Sequence, residues 1–330
     1  MTVGPAPACL KVLKNFKPSH ASQYLAGYYT SLLVPKLAQK FKLPENQIAL
    51  SYGSEDFLRA VFNSLDPKKD SVLTHEYHYV YYDKYAAARG FTINTFKMID
   101  TGKKFIFDID DCIRQYKKTK PKVILITSPN NPTGNSVAVR DLEKLLTAIS
   151  KKTLVIIDGA YAGLAGKNED ALATKLVTNY ENPIITRTFS KLYALAGLRI
   201  AYGLCGSEAQ KLLGYQPYYL GFSRILEETA IAALGATGYY KKLRERIIND
   251  RNTFITSVAK LKHFTAYSSD ATFVLIKPDT HIREHFKRAI DKAPFNLVRP
   301  ISETHFRISL DPQKYTKEFI KLLTTIDSQV

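Results

Sequence analysis

The chain of 330 residues is long enough for one large domain and a smaller companion, and its 45% hydrophobic and 23% charged content exclude a disordered or low-complexity protein. The formal net charge of +17 raises the question of nucleic-acid binding. The lysines, however, lie in scattered pairs such as Lys68-Lys69, Lys117-Lys118 and Lys241-Lys242, with no basic tail or stripe, so a solvated surface accounts for them and no nucleic-acid partner is expected.

No apolar run approaches the roughly 20 residues of a membrane span, and the first ten residues lack a basic segment followed by an apolar one, so a cytoplasmic protein without a membrane partner is expected. Cys9, Cys112 and Cys205 are scattered and show neither disulfide nor metal-ligand spacing. No metal is expected.

Taken in chain order, short β-rich apolar runs cover residues 48–52, 71–77, 91–96, 122–127, 153–157, 183–189 and 198–204. Several are nearly continuous in Val, Ile and Leu, which predicts strands buried on both faces of a mostly parallel, seven-stranded sheet. Helical patterns lie between them. Leu142, Leu145, Leu146 and Ile149, for example, recur at helical spacing and mark a crossover helix. This is an α/β fold with helices on both faces of the sheet. Beyond about residue 229 the rhythm changes to a long helix over 240–261, a strand at 272–276, a helix at 281–292, strands at 296–299 and 306–309, and a helix at 312–326. We divide the chain accordingly into a large domain over 30–228 and a small α/β domain formed by 1–29 and 229–330.

Ligands of open α/β sheets bind outside the carboxyl ends of the strands, and three strand ends here carry unusual chemistry. The run 123–127 is followed by Ser128-Pro129-Asn130-Asn131-Pro132-Thr133-Gly134, which holds an amide rigidly at the strand end or simply punctuates a turn. Asp158 follows a run of four apolar residues, with Tyr161 close behind; a buried aspartate there needs a cation, whereas a loop aspartate needs none. In Thr186-Arg187-Thr188-Phe189-Ser190-Lys191, the lysine ends an apolar strand among hydroxyls, and Arg199 lies a few residues on. A desolvated lysine loses its proton more readily and becomes a nucleophile able to form an imine, while Thr188, Ser190 and Arg199 can grip a phosphate. A further phosphate candidate is Gly53-Ser54-Glu55, where Ser54 at a helix N-cap leaves backbone N–H groups facing outward.

Together these blocks resemble fold type I pyridoxal-phosphate enzymes, in particular the class I/II aminotransferases of the histidinol-phosphate aminotransferase branch. The Ser-Pro-Asn-Asn-Pro-Thr-Gly, Asp-x-x-Tyr and Thr-Phe-Ser-Lys-x-x-x-Leu-Ala-Gly-Leu-Arg blocks stand in that family's order. The resemblance implies a large domain with a seven-stranded sheet and a transaminase that moves an amino group between an amino acid, or histidinol phosphate, and a 2-oxo acid. It also implies pyridoxal 5'-phosphate held as an aldimine by Lys191, with Asp158 on the pyridine nitrogen, Asn131 and Tyr161 on the phenolic oxygen, and Tyr79 stacked on the ring. Ser54, the backbone N–H of Glu55, Thr188, Ser190 and Arg199 would bind the phosphate, joined by Tyr24 of the neighbouring subunit in a homodimer with shared sites. Arg307 would clamp the substrate carboxylate, with Asn131 beside it.

The sequence departs from the family pattern at Asp158-Gly159-Ala160-Tyr161, where Asp-Glu-Ala-Tyr is frequent, and at Glu76-Tyr77-His78-Tyr79, where Pro-Pro-Thr-Tyr is frequent. The family's N-terminal arm before Gly-Pro is also missing from this sequence. Three alternatives share parts of the pattern. A lyase resembling threonine-phosphate decarboxylase has the same lysine block, an aromatic- or aspartate-type aminotransferase has the same cofactor chemistry, and a transcription regulator built on this domain would need a DNA-binding module for which residues before Gly4 leave no room.

Overall fold

The computed structural model describes residues 4–24, 30–165, 168–294, 297–310 and 313–329. Helices α1 (Pro7–Lys14) and α2 (Pro18–Ala21) each carry proline at the start, where its missing N–H costs nothing. Helix α3 (Leu33–Phe41) leads into β1 (Ile48–Ser51) and α4 (Glu55–Ser64). Strand β2 (Val72–His75), helix α5 (Tyr81–Ala88) and strand β3 (Ile93–Phe96) follow, then a hairpin of β4 (Met98–Asp100) and β5 (Phe105–Phe107).

The crossover units come next. Helix α6 (Ile109–Thr119) starts at Asp108, whose carboxylate accepts from the Asp111 N–H at 2.8 Å. Strand β6 (Val123–Thr127), helix α7 (Val139–Ala148), strand β7 (Leu154–Gly159), helix α8 (Glu169–Asn179) and strand β8 (Pro183–Thr188) continue the alternation, and β9 (Ala201–Cys205) with α9 (Ala209–Leu213) completes it. The rest comprises α10 (Arg224–Gly235), α11 (Thr237–Val258), β10 (Phe264–Ala266), β11 (Phe273–Pro278), α12 (Arg283–Asp291), β12 (Val298–Pro300), β13 (Phe306–Ser309) and α13 (Gln313–Ser328).

Seven strands form the large sheet in the order β1-β9-β8-β7-β6-β2-β3. The neighbours from β8 through β7, β6 and β2 to β3 pair in parallel, and β9 runs antiparallel between β8 and β1. Strands β6 and β9 are buried at every position, as their unbroken apolar runs require. A four-stranded antiparallel sheet, β10-β11-β13-β12, forms the second layer. Its buried face joins Phe254, Phe286, Phe319 and Leu323 of the flanking helices, with Phe306 and Ile308 from β13.

Three details differ from the sequence reading. Residues 196–198 form a 3-10 turn closed by Arg199 in the left-handed region (φ 52°), so the last strand of the large sheet starts only at Ala201. The β4–β5 hairpin and β10 have three-residue strands, too short for an alternation to register. Packing also changes within α11 rather than at residue 229, because Ala230, Tyr240 and Leu243 join the large core whereas Phe254 and Val258 join the small one. Helix α1 belongs with the former: Cys9 packs in that core, and the Tyr240 hydroxyl accepts from the Ala6 N–H at 3.0 Å.

Candidate active site

The carboxyl ends of β1, β2, β6, β7 and β8 open on one cleft of about 860 Å³, closed on its other side by β12 and β13. That volume lies in the range of a cofactor or substrate site. The register pairs Asp158 of β7 with Thr186 of β8, and alternation turns both toward the same face. Asp158 is 5% exposed; one carboxylate oxygen accepts from the Ala160 N–H (3.1 Å) and the Thr186 hydroxyl (3.2 Å), the other from the Tyr82 hydroxyl (3.4 Å). All three donors are neutral, and among the described residues no cation lies within ion-pair distance. Burial raises the Asp158 pKa, opposed by these hydrogen bonds and by the Lys191 charge.

Lys191 follows the end of β8. Burial is the main cause that lowers its pKa, Arg307 and Arg199 push the same way, and Asp158 opposes them. Its Nζ lies 5.4 Å from the centre of the Tyr161 ring. Tyr161 is itself buried, with a pKa raised by burial, and rests edge-on against Phe273 of β11. Tyr79 lines the same cleft, and burial pushes its hydroxyl up to about 12.

Beside the lysine, the loop after β1 and the turn after β8 form a cradle. The Ser54 hydroxyl sits at the N-cap of the ten-residue helix α4 without capping it, and because the Asp56 N–H already donates to the Gly53 carbonyl at 3.1 Å, the Ser54 hydroxyl and the Glu55 N–H are the groups this helix start offers to the cleft. Thr188 donates to Ser190 at 2.9 Å, and Arg199 donates to Ser190 at 3.5 Å and to the Ala196 carbonyl at 3.2 Å. Gly53 stands at φ +92°, a conformation that L side chains rarely adopt, and a Cβ there would also push against the Arg199 guanidinium. Glu55 keeps its side chain on Tyr85 and Arg59, with Arg199 at 3.8 Å, and its carboxyl lies below the usual range mainly because Tyr85 donates to it.

The facing wall carries arginines. As alternation along β13 predicts, Phe306 and Ile308 are buried in the small core and Arg307 turns to the cleft. Arg307 donates to the Asn131 side-chain oxygen at 2.7 Å and lies over the Phe273 ring at 4.9 Å, while its Nε has no hydrogen-bond partner. Asn130, its neighbour, is spent on structure, donating to the Tyr77 carbonyl and to Thr133.

Eleven of the site residues named from the sequence, Ser54, Glu55, Tyr79, Asn131, Asp158, Tyr161, Thr188, Ser190, Lys191, Arg199 and Arg307, thus line one cleft. Tyr24 does not; it is 75% exposed and lies outside the cleft of its own chain. Sequence reasoning gave no role to Thr186 and Tyr82, which hold Asp158, or to Arg299, which pairs across strands with Arg307 and lines the same cleft. Alternation gave a signal for Thr186, two residues before Thr188; the register that brings Arg299 beside Arg307 has no sequence signal.

A buried carboxylate without a cation, a lysine with a depressed pKa and a cradle of hydroxyls, helix N–H groups and a guanidinium suit a ring with a protonatable nitrogen, a carbonyl and a phosphate. The comparisons agree with that chemistry. The family model described as aminotransferase class I and II matches residues 5–325. The chain is 31% identical to histidinol-phosphate aminotransferase 2 of Archaeoglobus fulgidus over 73% of its length and 66% of that protein's, and 27% identical to histidinol-phosphate aminotransferase of Methanocaldococcus jannaschii over 98% and 87%. Its fold is also that of the Sinorhizobium meliloti histidinol-phosphate aminotransferase solved in complex with pyridoxal-5'-phosphate, at a TM-score of 0.83 and 24% identity, covering 99% of this chain and 89% of that one. The chain belongs to the class I and II aminotransferase family. Its cofactor is pyridoxal phosphate and its reaction amino-group transfer, and within the family it resembles the histidinol-phosphate aminotransferases.

Proposed function

We propose that this aminotransferase takes its amino group from histidinol phosphate and exchanges it with a 2-oxo acid, as a homodimer with shared sites. The observation that carries the substrate reading is the pair Arg299 and Arg307, cross-strand neighbours facing the cleft in addition to the cradle's own Arg199. One guanidinium suffices for a carboxylate, whereas a second suits the greater charge of a phosphate ester.

Pyridoxal phosphate, when bound, supplies the electron sink that makes the substrate's α-hydrogen acidic. Ser54, the Glu55 N–H, Thr188, Ser190 and Arg199 would hold its phosphate, and Asp158 would keep its ring nitrogen protonated. Asn131 and Tyr161 would donate to its phenolic oxygen, and Tyr79 would cover its ring. Lys191 would hold it covalently through Nζ and, once freed by the substrate amine, carry the proton to and from the substrate α-carbon. Arg307 would grip the substrate's anionic group bidentately, with Asn131 fixing its plane. Tyr24 would reach the phosphate of the partner copy. Its exposure outside its own cleft supports that arrangement, as do the exposed Tyr77, Val80 and Tyr81 at the cleft's rim.

The test is a panel of amino donors assayed against 2-oxoglutarate, with imidazole-acetol phosphate as acceptor in the reverse direction. Histidinol phosphate should give the highest kcat/KM. Release of carbon dioxide without a keto-acid acceptor would instead mean a decarboxylase. Borohydride reduction of the loaded protein followed by peptide mapping should place the cofactor on Lys191, and another lysine would overturn the site assignment.

A further inference from the structure

Away from the cleft, the antiparallel pairing of β10 with β11 brings together residues that are far apart in sequence. Phe264 pairs with Pro278, so His263 and Asp279 are opposed one step beyond the last rung of the ladder. The backbone continues the pairing there, with the Asp279 N–H donating to the His263 carbonyl at 2.9 Å. His281 follows in the short 3-10 turn Thr280–Ile282. One ligand atom from each of the three side chains lies within 4.8 Å of the others, and among the described residues this is the one place where three such groups converge.

We propose that His263, Asp279 and His281 form a zinc-binding site at the edge of the small sheet, remote from the reaction. The distances support it. His263 Nδ1 and Asp279 Oδ2 are 3.3 Å apart. Two ligands each about 2.0–2.1 Å from a tetrahedral zinc stand roughly 3.3–3.4 Å from one another, so this pair already has the spacing of joint ligands. A histidine–aspartate hydrogen bond accounts for the same separation but does not involve His281. The His281 ring stands perpendicular to that of His263, at 89° with centroids 4.7 Å apart, and a nitrogen of His281 lies within 4.8 Å of the ligand atoms of the other two.

The site has support behind it. Asp327 of α13 accepts from the backbone N–H groups of Lys262 and His263 at 3.0 and 2.8 Å, which fixes the segment carrying the first ligand. Two imidazoles and a carboxylate select a borderline ion such as zinc over the hard, all-oxygen-seeking magnesium and calcium. Asp279 and His281 are exposed, so an ion enters freely and water completes the tetrahedron. Bound zinc would tie the start of β10 to the end of β11 and stabilise the small sheet by mass action.

The experiment uses tag-free, cofactor-saturated protein titrated with zinc alone, with binding followed by calorimetry and by the thermal melt. One equivalent should bind and raise the melting temperature, with magnesium in excess failing to compete. Even an outer-shell partner of a metal can be worth 10–100-fold in affinity, so His281→Ala should lower zinc affinity by at least on the order of 100-fold. His281→Cys, which supplies another zinc ligand, should retain most of it and separate loss of a ligand from loss of the fold. Equal affinity in wild type and His281→Ala, absence of saturable uptake, or failure of His281→Cys to hold zinc overturns the proposal.

Discussion

Across the cleft, β7 and β8 present Asp158 and Thr186 already bound to one another and to Ala160 and Tyr82, whereas β12 and β13 present Arg299 and Arg307 with donors to spare. The first wall belongs to a sheet buried on both faces, the second to a small sheet with one face in its own core and one toward the cleft. A group held permanently can be met by a wall whose side chains are already fixed by hydrogen bonds, because nothing there rearranges during turnover. A substrate that exchanges every cycle must find unspent donors. On this reading the large-sheet wall serves the cofactor and the small-sheet wall the amino and keto substrates.

The largest effect should come from the first wall. Lys191→Ala should lower transamination by at least about 10³–10⁴-fold, the upper part of what a positioned proton carrier supplies, with an unchanged melt of the cofactor-free protein. Turnover within tenfold of wild type would place the proton carrier elsewhere. Asp158→Asn should cost on the order of 10²–10³-fold in kcat while cofactor is retained, since an amide cannot stabilise a protonated ring nitrogen. Tyr82→Phe removes only one contact, at 3.4 Å, from the same carboxylate. Its cost should be about tenfold or less, and a loss equal to that of Asp158→Asn would show that Tyr82 does more than orient Asp158.

The second wall should respond more gently and with a preference for substrate. Arg307→Lys keeps the charge but loses the planar fork, so kcat/KM should fall by roughly 2–4 kcal/mol for amino acids. Comparing glutamate with histidinol phosphate sharpens the contrast between the walls. Equal losses would mean one shared anion clamp, unequal losses a division of labour with Arg299, and no loss with either donor would show that Arg307 does not touch substrate.

Much of this contrast was legible before the fold was known. The seven runs of the large sheet, the lysine and aspartate at its strand ends and the outward turn of Arg307 all follow from local pattern, because a buried parallel strand must be apolar throughout and a half-buried one must alternate. Short strands and registers were not legible. Nothing in the spacing of Arg299 and Arg307, or of His263, Asp279 and His281, says that they are neighbours, since antiparallel register depends on turn geometry and on the packing of whole elements. The partners of Asp158 escaped for a related reason: Tyr82 lies 76 residues away on α5 and reaches the carboxylate only because the helix packs on the sheet.

The smallest expected effect couples the two walls electrostatically. Burial lowers the Lys191 pKa, and next to burial the largest cause is the Arg307 guanidinium across the cleft; Asp158 acts in the opposite direction. In cofactor-free protein, Arg307→Leu should therefore move the pH midpoint of Lys191 reaction with an amine-directed reagent upward, and Asp158→Asn should move it downward. The sign carries over to stability. A lysine whose folded pKa is depressed is destabilising wherever it is charged in the folded state, so the penalty is fully present below the folded pKa. As pH rises from the folded toward the unfolded pKa, the unfolded chain binds more protons and stability increases. Arg307→Leu brings the two pKa values closer and should flatten that rise relative to wild type, measured as the difference between denaturant melts at paired pH values. If the two substitutions moved the Lys191 midpoint in the same direction, the charges on the facing walls would not be acting on the lysine independently, and the division of the cleft into a cofactor wall and a substrate wall would fail at the residue where both meet.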